Sequence, residues 1–397
     1  MELVYLWVEK YKNIDKQGFN FSPRFECTFH DKYNDDCTLE NDCVLDIKPK
    51  EHIENFFGKN INITAIVGEN GSGKSSIFEF LINELSKKEI NYVCVFQNKT
   101  NNKIIYTSTK QIECALESIN IDDKLFGYIN ISAHENTINI KINHYFGLMG
   151  DDGFTATNFD NYIGKAKTEL NNTDPLYQQV KKEIEKLPFL QNQSSNKINS
   201  SGEKAMIYYL SCIYLLLEKV QNQSLIVCID EIELFMHPNW QKKVIQIFIQ
   251  SLVNKLDKNL HIIFASHSPF ILSDIPKENV IFLENGIQKH PFKDNEQTFG
   301  ANIHTLLSHG FFMEDGLMGE FAKDRLSKIL KYLIVDLPTI DLTQEEIKFT
   351  IDAVGEELLQ NKLENLYNKF YQIETKEDKY LKRISELEAL LKEKSNA

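Results

Sequence analysis

Two kinds of apolar pattern alternate along this chain of 397 residues. Short apolar or alternating runs at 3–8, 44–47, 63–67, 92–96, 103–106, 225–229 and 261–265 have the length and β-branched content of strands. Phe19, Phe21, Phe25 and Phe29 are spaced as one further strand with a single buried face. Elsewhere the period lengthens to that of helices: from Ser76 to about 87, from Glu203 to about 220, and from Asn239 to about 256. The runs at 225–229 and 261–265 are apolar on both faces, which predicts a parallel sheet covered by helices on both sides. From about 108 to 198 the pattern degrades into Asn-, Asp- and Lys-rich sequence with short helical pieces such as 176–187. Beyond Gly300 the chain reads as helical, with Pro338 as a break.

The expected fold class is therefore α/β, a mixed sheet flanked by helices. An inserted polar and helical subdomain interrupts it, and a helical C-terminal region follows. The expected division is a first lobe at 1–108, an insertion at 109–198, a second lobe at 199–310 and a helical region at 311–397. Near the end, Ile373, Tyr380, Ile384, Leu387 and Leu391 form a heptad-like seam. It reads equally as a short coiled coil at 373–391 or as one face of an amphipathic helix.

Charge narrows the partners. Forty-four basic against 57 acidic residues leave a net charge of −13, which argues against a broad polycationic surface for nucleic acid. A local patch at Lys165, Lys167, Lys181, Lys182 and Lys186 is diluted by Glu183 and Glu185. Seven cysteines, at 27, 37, 43, 94, 114, 212 and 228, contain no C-x-x-C pair, so reduced thiols and a cytoplasmic setting are expected. The first residues show no basic-then-apolar leader, and the longest apolar stretch, 12 residues at 206–217, is too short for a bilayer. No membrane association is expected.

Four segments carry chemistry. The run at 63–67 leads into Gly68-Glu69-Asn70-Gly71-Ser72-Gly73-Lys74-Ser75-Ser76, a G-x-x-x-x-G-K-S pattern between a strand and a helix. Its glycines let the loop turn successive N–H groups toward phosphate oxygens, and the helix adds its positive end. Lys74 would reach the β/γ-phosphates and the Ser75 hydroxyl would ligate Mg²⁺. The strand at 225–229 ends in Asp230-Glu231, where Asp230 can hold a Mg²⁺-bound water and Glu231 can polarise the hydrolytic water. Ser200-Ser201-Gly202-Glu203 opens a helix whose free N–H groups offer a second anion site, although a plain helix cap has the same pattern. His267 follows the strand at 261–265, where an imidazole can hydrogen-bond a γ-phosphate and the attacking water.

The order G-E-N-G-S-G-K-S, S-S-G-E-K, I-V-C-I-D-E-I-E-L-F-M-H-P, F-A-S-H-S-P-F resembles the ABC-type ATPases outside the transporters, the RecF, SMC and OLD relatives. The resemblance covers 1–108 and 199–310. Glu203 and His237-Pro238 favour the non-transporter branch, and Lys10-Tyr11-Lys12-Asn13-Ile14 is similar to the first turn of RecF-like heads. Residues 268–276 and 299–307 resemble the ATPase subunits of bacterial anti-phage systems, PtuA of Septu among them. What the resemblance implies is an ABC-type P-loop ATPase head with ATP and Mg²⁺. Lys74, Glu231 and His267 would be catalytic, Ser75 and Asp230 would face the metal, and Gln97 would stand in the Q-loop position beside it. It also implies an ATP-sandwich homodimer, in which Ser200–Glu203 of one copy close the Lys74 pocket of the other.

No nuclease arrangement accompanies these motifs. His290, His304 and His309 lack H-N-H spacing, and Asp336 and Asp341 are too far apart for a Toprim-like D-x-D. By resemblance, the chain would be the regulatory ATPase of an anti-phage complex whose nuclease is a separate HNH-type subunit. Two readings compete with it. A RecF-like DNA-repair ATPase would bind duplex DNA directly, and an ATP-bound clamp would hydrolyse almost nothing. Glu231 and His267 argue against the clamp.

Overall fold

A computed structural model of the chain describes residues 2–85, 89–98, 103–110, 112–113, 117–118, 127–134, 137–143, 182, 206, 209–210, 213, 224–234, 236–252, 259–293, 295–311, 317–335, 341–373, 380 and 383–388. These fall into two compact units, Met1–Asp315 and Gly316–Ala397.

The strands of the first unit begin with β1 (Glu2–Tyr11), β2 (Ile14–Asn20), β3 (Phe25–His30), β4 (Cys43–Pro49) and β5 (Ile61–Gly68). After helix α1 (Lys74–Asn83) come β6 (Tyr92–Asn98), β7 (Lys103–Ser108), β8 (Ile112–Glu113), β9 (Glu117–Ser118), β10 (Gly127–His134) and β11 (Thr137–Asn143). Then follow β12 (Ser224–Asp230), helix α2 (Val244–Leu252), β13 (Asn259–Ser266), β14 (Val280–Glu284) and β15 (Ile287–Lys289).

The main sheet has the order β11-β10-β12-β13-β5-β14-β15. Its five inner strands are parallel, and β11 and β15 close the two edges antiparallel. Alternate side chains of the inner strands feed two separate cores, as a sheet covered on both faces requires. Ile63, Ala65, Val227, Ile229, Ile262 and Phe264 pack with α2 and with Met206, Tyr209, Leu210 and Ile213. Ile66, Ile226, Cys228, Ile263 and Ala265 pack with Ile77, Phe78, Phe80 and Leu81 of α1 and with residues of β1 and β2. Phe264 is fully buried between its neighbours, so its truncation to alanine would cost about 3–5 kcal/mol. A second sheet, β2-β1-β6-β7-β9, puts one face on the α1 core and the other on the small sheet β3-β4-β8. A bulge between Leu3 and Tyr5 shifts which residues of β1 face which core.

Three expectations are corrected here. The four phenylalanines do not share a strand: β2 ends at Asn20, β3 begins at Phe25, and Pro23 between them has no N–H for a ladder. Phe19 and Phe21 enter the α1 core, whereas Phe29 packs beneath the other face of β1. The region 109–198 is not wholly an insertion. Its strands β10 and β11 complete the main sheet through the parallel pairing of β10 with β12. Alternating isoleucines at 129, 131, 138, 140 and 142 carry that signal, interleaved with Asn, Ser and Lys. The helix expected at 239–256 is divided, with a one-turn helix at Pro238–Gln241 before α2. Residues 200–203 lie outside the described residues.

The second unit contains α3 (Glu320–Val335), α4 (Gln344–Asp352) and α5 (Glu357–Phe370), which bury Ile329, Leu333, Ile347, Ile351, Leu363 and Tyr367 between them. Thr343 and Glu346 form a reciprocal capping box at the start of α4. Of the heptad-like seam, Ile373, Tyr380, Ile384 and Leu387 are exposed, and Leu391 lies outside the described residues. Among the described residues, no helix is long and apolar enough to cross a membrane.

Candidate functional site

The carboxyl ends of β5, β12 and β13 lie side by side, because the three strands pair in parallel. β5 runs into the loop at 68–73 and then α1, β12 ends in Asp230, and β13 ends in Ser266 just before His267. Ligands of open α/β sheets bind at this edge, where loop amides and helix N-termini collect.

The loop is held from two sides. Gly68 lies so close to β14 that a Cβ there would stand 2.0 Å from the Leu283 carbonyl oxygen. Asn285 and Gly286, with φ of 50° and 81°, make the hairpin turn from β14 to β15. The Gly286 N–H donates to the Ser72 carbonyl at 2.7 Å. From the other side comes Asn13, in the turn between β1 and β2. Its amide donates to the Gly71 carbonyl at 2.9 Å, and its side-chain oxygen accepts from the Ser76 hydroxyl at 3.1 Å.

The polar groups left inside this frame suit a triphosphate and its metal. Lys74 is 5% exposed, and its ammonium donates to the carbonyls of Gly68 and Glu69 at 3.0 and 2.9 Å. Burial lowers its pKa from the ordinary lysine value, while Asp230, Glu231 and Glu233 pull the other way. A desolvated cation held by neutral carbonyls gains from an incoming anion. Among the described residues, the buried Ser72 hydroxyl has no hydrogen-bond partner. The N-terminus of α1 carries neither a side-chain cap nor an acidic residue in its first turn. Ser75 Oγ donates to the Asp230 carboxylate at 3.0 Å, which places two hard oxygens together. Among the described residues no group of three or more His, Cys, Asp or Glu side chains is arranged for a metal ion. A cation at Ser75 and Asp230 would thus draw its remaining ligands from phosphate and water, the habit of Mg²⁺.

Next to this pair stand Glu231 and His267. Glu231 has φ of 49°, an uncommon conformation for a residue with a side chain, at a cost of about 1–3 kcal/mol. Its N–H donates to the Ala265 carbonyl at 2.9 Å, and its carboxylate lies 3.8 Å from His267 Nε2. Burial, and then the charge of Lys74, lower the His267 pKa below the ordinary histidine value, with Glu231 opposing. The imidazole is therefore neutral near pH 7.

Glu233 belongs to this constellation although the motifs gave it no role. Its carboxylate accepts from the Ser266 hydroxyl at 2.9 Å and from the His267 N–H. Burial pushes its pKa up, against those same hydrogen bonds. Ser268 Oγ donates to Gln241, whose amide donates to the Met236 carbonyl, so the segments after β12 and β13 are tied together. A third carboxylate within the D-E-I-E run was the only signal in the sequence for Glu233.

Lys74, Ser75, Asp230, Glu231 and His267 thus converge as expected, and Ser76 turns its hydroxyl to Asn13. Gln97 does not join them. It pairs with Glu2 across β1 and β6, and the Glu2 carboxylate accepts from Asn62 near the start of β5. From Asn62 to Gly68 the strand covers roughly 20 Å at about 3.3 Å per residue. The metal role expected for Gln97 is therefore corrected: the residue stands at the opposite end of the sheet, buried in the β1–β6–β7 ladder.

Residues 116–273 match the family model described as "AAA domain, putative AbiEii toxin, Type IV TA system", a span that includes Asp230, Glu231 and His267. The chain is similar to this family over less than half of its length. It is 33% identical over 94 residues to "Retron Ec83 probable ATPase" of Escherichia coli, covering 22% of this chain and 16% of that protein. It is 37% identical over 142 residues to "Retron Vc95 probable ATPase" of Vibrio cholerae, covering 34% of this chain and 26% of that protein. The chain thus spans about a quarter or less of the length of these two relatives. Among solved structures it is similar to the SMC head domain from Thermotoga maritima, at 14% identity and a TM-score of 0.36, covering 74% of this chain and 100% of that one.

Proposed function

We propose that this chain binds and hydrolyses ATP between two of its own copies, as the regulatory ATPase of an anti-phage complex whose nuclease is a separate subunit. The observation that carries the ATPase reading is the convergence of Lys74, the Ser75–Asp230 pair and the Glu231–His267 pair at the ends of three adjacent strands. The defence setting rests on the similarity to retron probable ATPases, and the PtuA-like, nuclease-controlling role on the motif resemblance.

Lys74 and the loop amides bind and orient the β- and γ-phosphates. Ser75 and Asp230 would hold Mg²⁺, which would supply positive charge to the phosphate oxygens. Glu231 accepts the proton of a water aligned on the γ-phosphorus as the new P–O bond forms and the bond to the β-phosphate oxygen breaks. His267, neutral and fixed through its own backbone by Glu233, hydrogen-bonds the γ-phosphate. Ser200–Glu203 of the second copy complete the pocket from the far side of the nucleotide.

The test is Glu231→Gln, which keeps shape and removes the base. Turnover should fall by about 10²–10⁴-fold with ATP affinity within about threefold of the parent, and an ATP-bound dimer should accumulate. Unchanged turnover would remove Glu231 from the mechanism.

A further inference from the structure

At the end of the sheet away from the phosphate loop lies a cavity of about 400 Å³. Its floor is formed by Asn62 near the start of β5 and by Asn279, both at least nine-tenths buried. Asn279 donates to the Asn62 side-chain oxygen at 3.2 Å and to the Ile63 carbonyl at 2.9 Å, so the floor is tied to β5. One wall is a stepped group of rings. Phe56 meets Phe57 and Phe299 edge to face, at 5.0 and 5.2 Å between centroids and 81° and 83° between planes. Phe299 is 53% exposed and Phe56 is 38% exposed, so both offer ring surface to a guest.

The charges decide what the cavity takes. Among the described residues, Arg24 is the only one lining the cavity with a fixed positive charge, and its Nε lies 3.6 Å from the buried Glu2 carboxylate. His52 Nε2 lies 3.1 Å from the Arg24 guanidinium and accepts a hydrogen bond from it. Glu51 and Glu278 also line the cavity and have no ion-pair partner among the described residues. Glu278 accepts from the Gln297 amide at 3.1 Å, and exposed phenyl rings beside carboxylates without a cationic partner attract a cation through both the ring quadrupole and the carboxylate charge. The volume suits a small ring compound rather than a polymer.

We propose that this cavity is a binding site for a small aromatic cation, its ring packed on Phe56 and Phe299 and its charge facing Glu51 and Glu278. It stands roughly 20 Å from the phosphate loop, by the length of β5, and is independent of the nucleotide reading. The floor amides belong to the strand that leads to Gly68, so an occupant would touch the framework of the ATPase site from behind.

Benzamidine is the probe, titrated into the full chain by calorimetry and by ligand-observed NMR, with benzoate as the anion of matching shape. Benzamidine should bind with a submillimolar dissociation constant and benzoate about tenfold or more weaker, with neither displaced by a saturating non-hydrolysable ATP analogue. Phe299→Ala should weaken benzamidine about fivefold. The pair Glu51→Lys and Glu278→Lys, both at exposed positions, should reverse the preference to benzoate at an unchanged melting temperature. Equal affinity for the two probes, displacement of benzamidine by the ATP analogue, or a preference that survives the charge reversal would overturn the assignment.

Discussion

The amide of Asn13 donates to the carbonyl oxygen of Gly71 at 2.9 Å, so a turn from the first hairpin holds the tip of the phosphate loop. The same side chain accepts from Ser76 at the start of α1, spanning the loop from tip to helix. Each bond contributes about 1 kcal/mol. Asn13→Ala should therefore raise the dissociation constant for ATP by about five- to thirtyfold, with a smaller effect on turnover of bound nucleotide. Titration with a fluorescent ATP analogue reads the first effect, and single-turnover hydrolysis reads the second.

Gly286 faces Asn13 from the other hairpin. A Cβ on it would stand 2.0 Å from the Asn13 carbonyl oxygen, and its φ of 81° disfavours any side chain. Gly286→Ala should cost about 2 kcal/mol or more, visible as a lowered denaturation midpoint, and should weaken ATP binding along with stability. An alanine variant as stable as the parent would mean that the turn does not press on the loop.

Glu233 separates charge from hydrogen bonding. Its raised pKa means that the folded chain holds the proton more tightly than the unfolded chain does. That contribution to stability is complete below the ordinary carboxylate value of 4.5 and is lost as pH rises through the folded value. Glu233→Gln still accepts from Ser266 and His267 but cannot ionise. Its stability relative to the parent should therefore increase as pH rises from below 4.5 to 7. Glu233→Ala leaves two donors without their acceptor and should cost about 1–3 kcal/mol at every pH. Urea denaturation across that range distinguishes the two variants.

His267 moves in the opposite direction with pH. Its pKa is lowered in the folded chain, so its contribution to stability is present above the ordinary histidine value of 6.5 and lost as pH falls through the folded value. The acid limb of ATP turnover should accordingly lie below pH 6.5. His267→Gln should lose the part of that limb set by the imidazole and lower the plateau about 10²-fold. An acid limb unchanged in the variant would assign it to another group.

The parallel core was legible in the sequence because Ile63, Val227 and Phe264 stand in runs apolar on both faces, which few other structures require. Asp230, Glu231 and His267 were legible because each sits at or just past a strand end, and Lys74 because the glycine spacing of the loop fixes its place at the start of α1. Gln97 was misplaced because a glutamine after an apolar run does not reveal which end of the sheet that run reaches. The antiparallel pairing of β6 with β1 sends it away from the phosphate edge. The strands β10 and β11 were obscured by Asn130, Ser132, Asn139 and Lys141 between their isoleucines. The hairpin of β14 and β15 was not read from the sequence, although Asn285-Gly286 is its turn pair, and its contact with Ser72 is set by tertiary packing alone.

The shared pocket between two copies is tested most directly by mixing two inactive variants, Lys74→Ala and Ser200→Arg. Each alone lacks one half of every site. In a mixed dimer, one site joins the intact Lys74 of one copy to the intact Ser200 of the other. An equal mixture should recover roughly a quarter of parental ATP turnover, from half the dimers each with one working site. A mixture no more active than the average of the two variants measured separately would contradict the account.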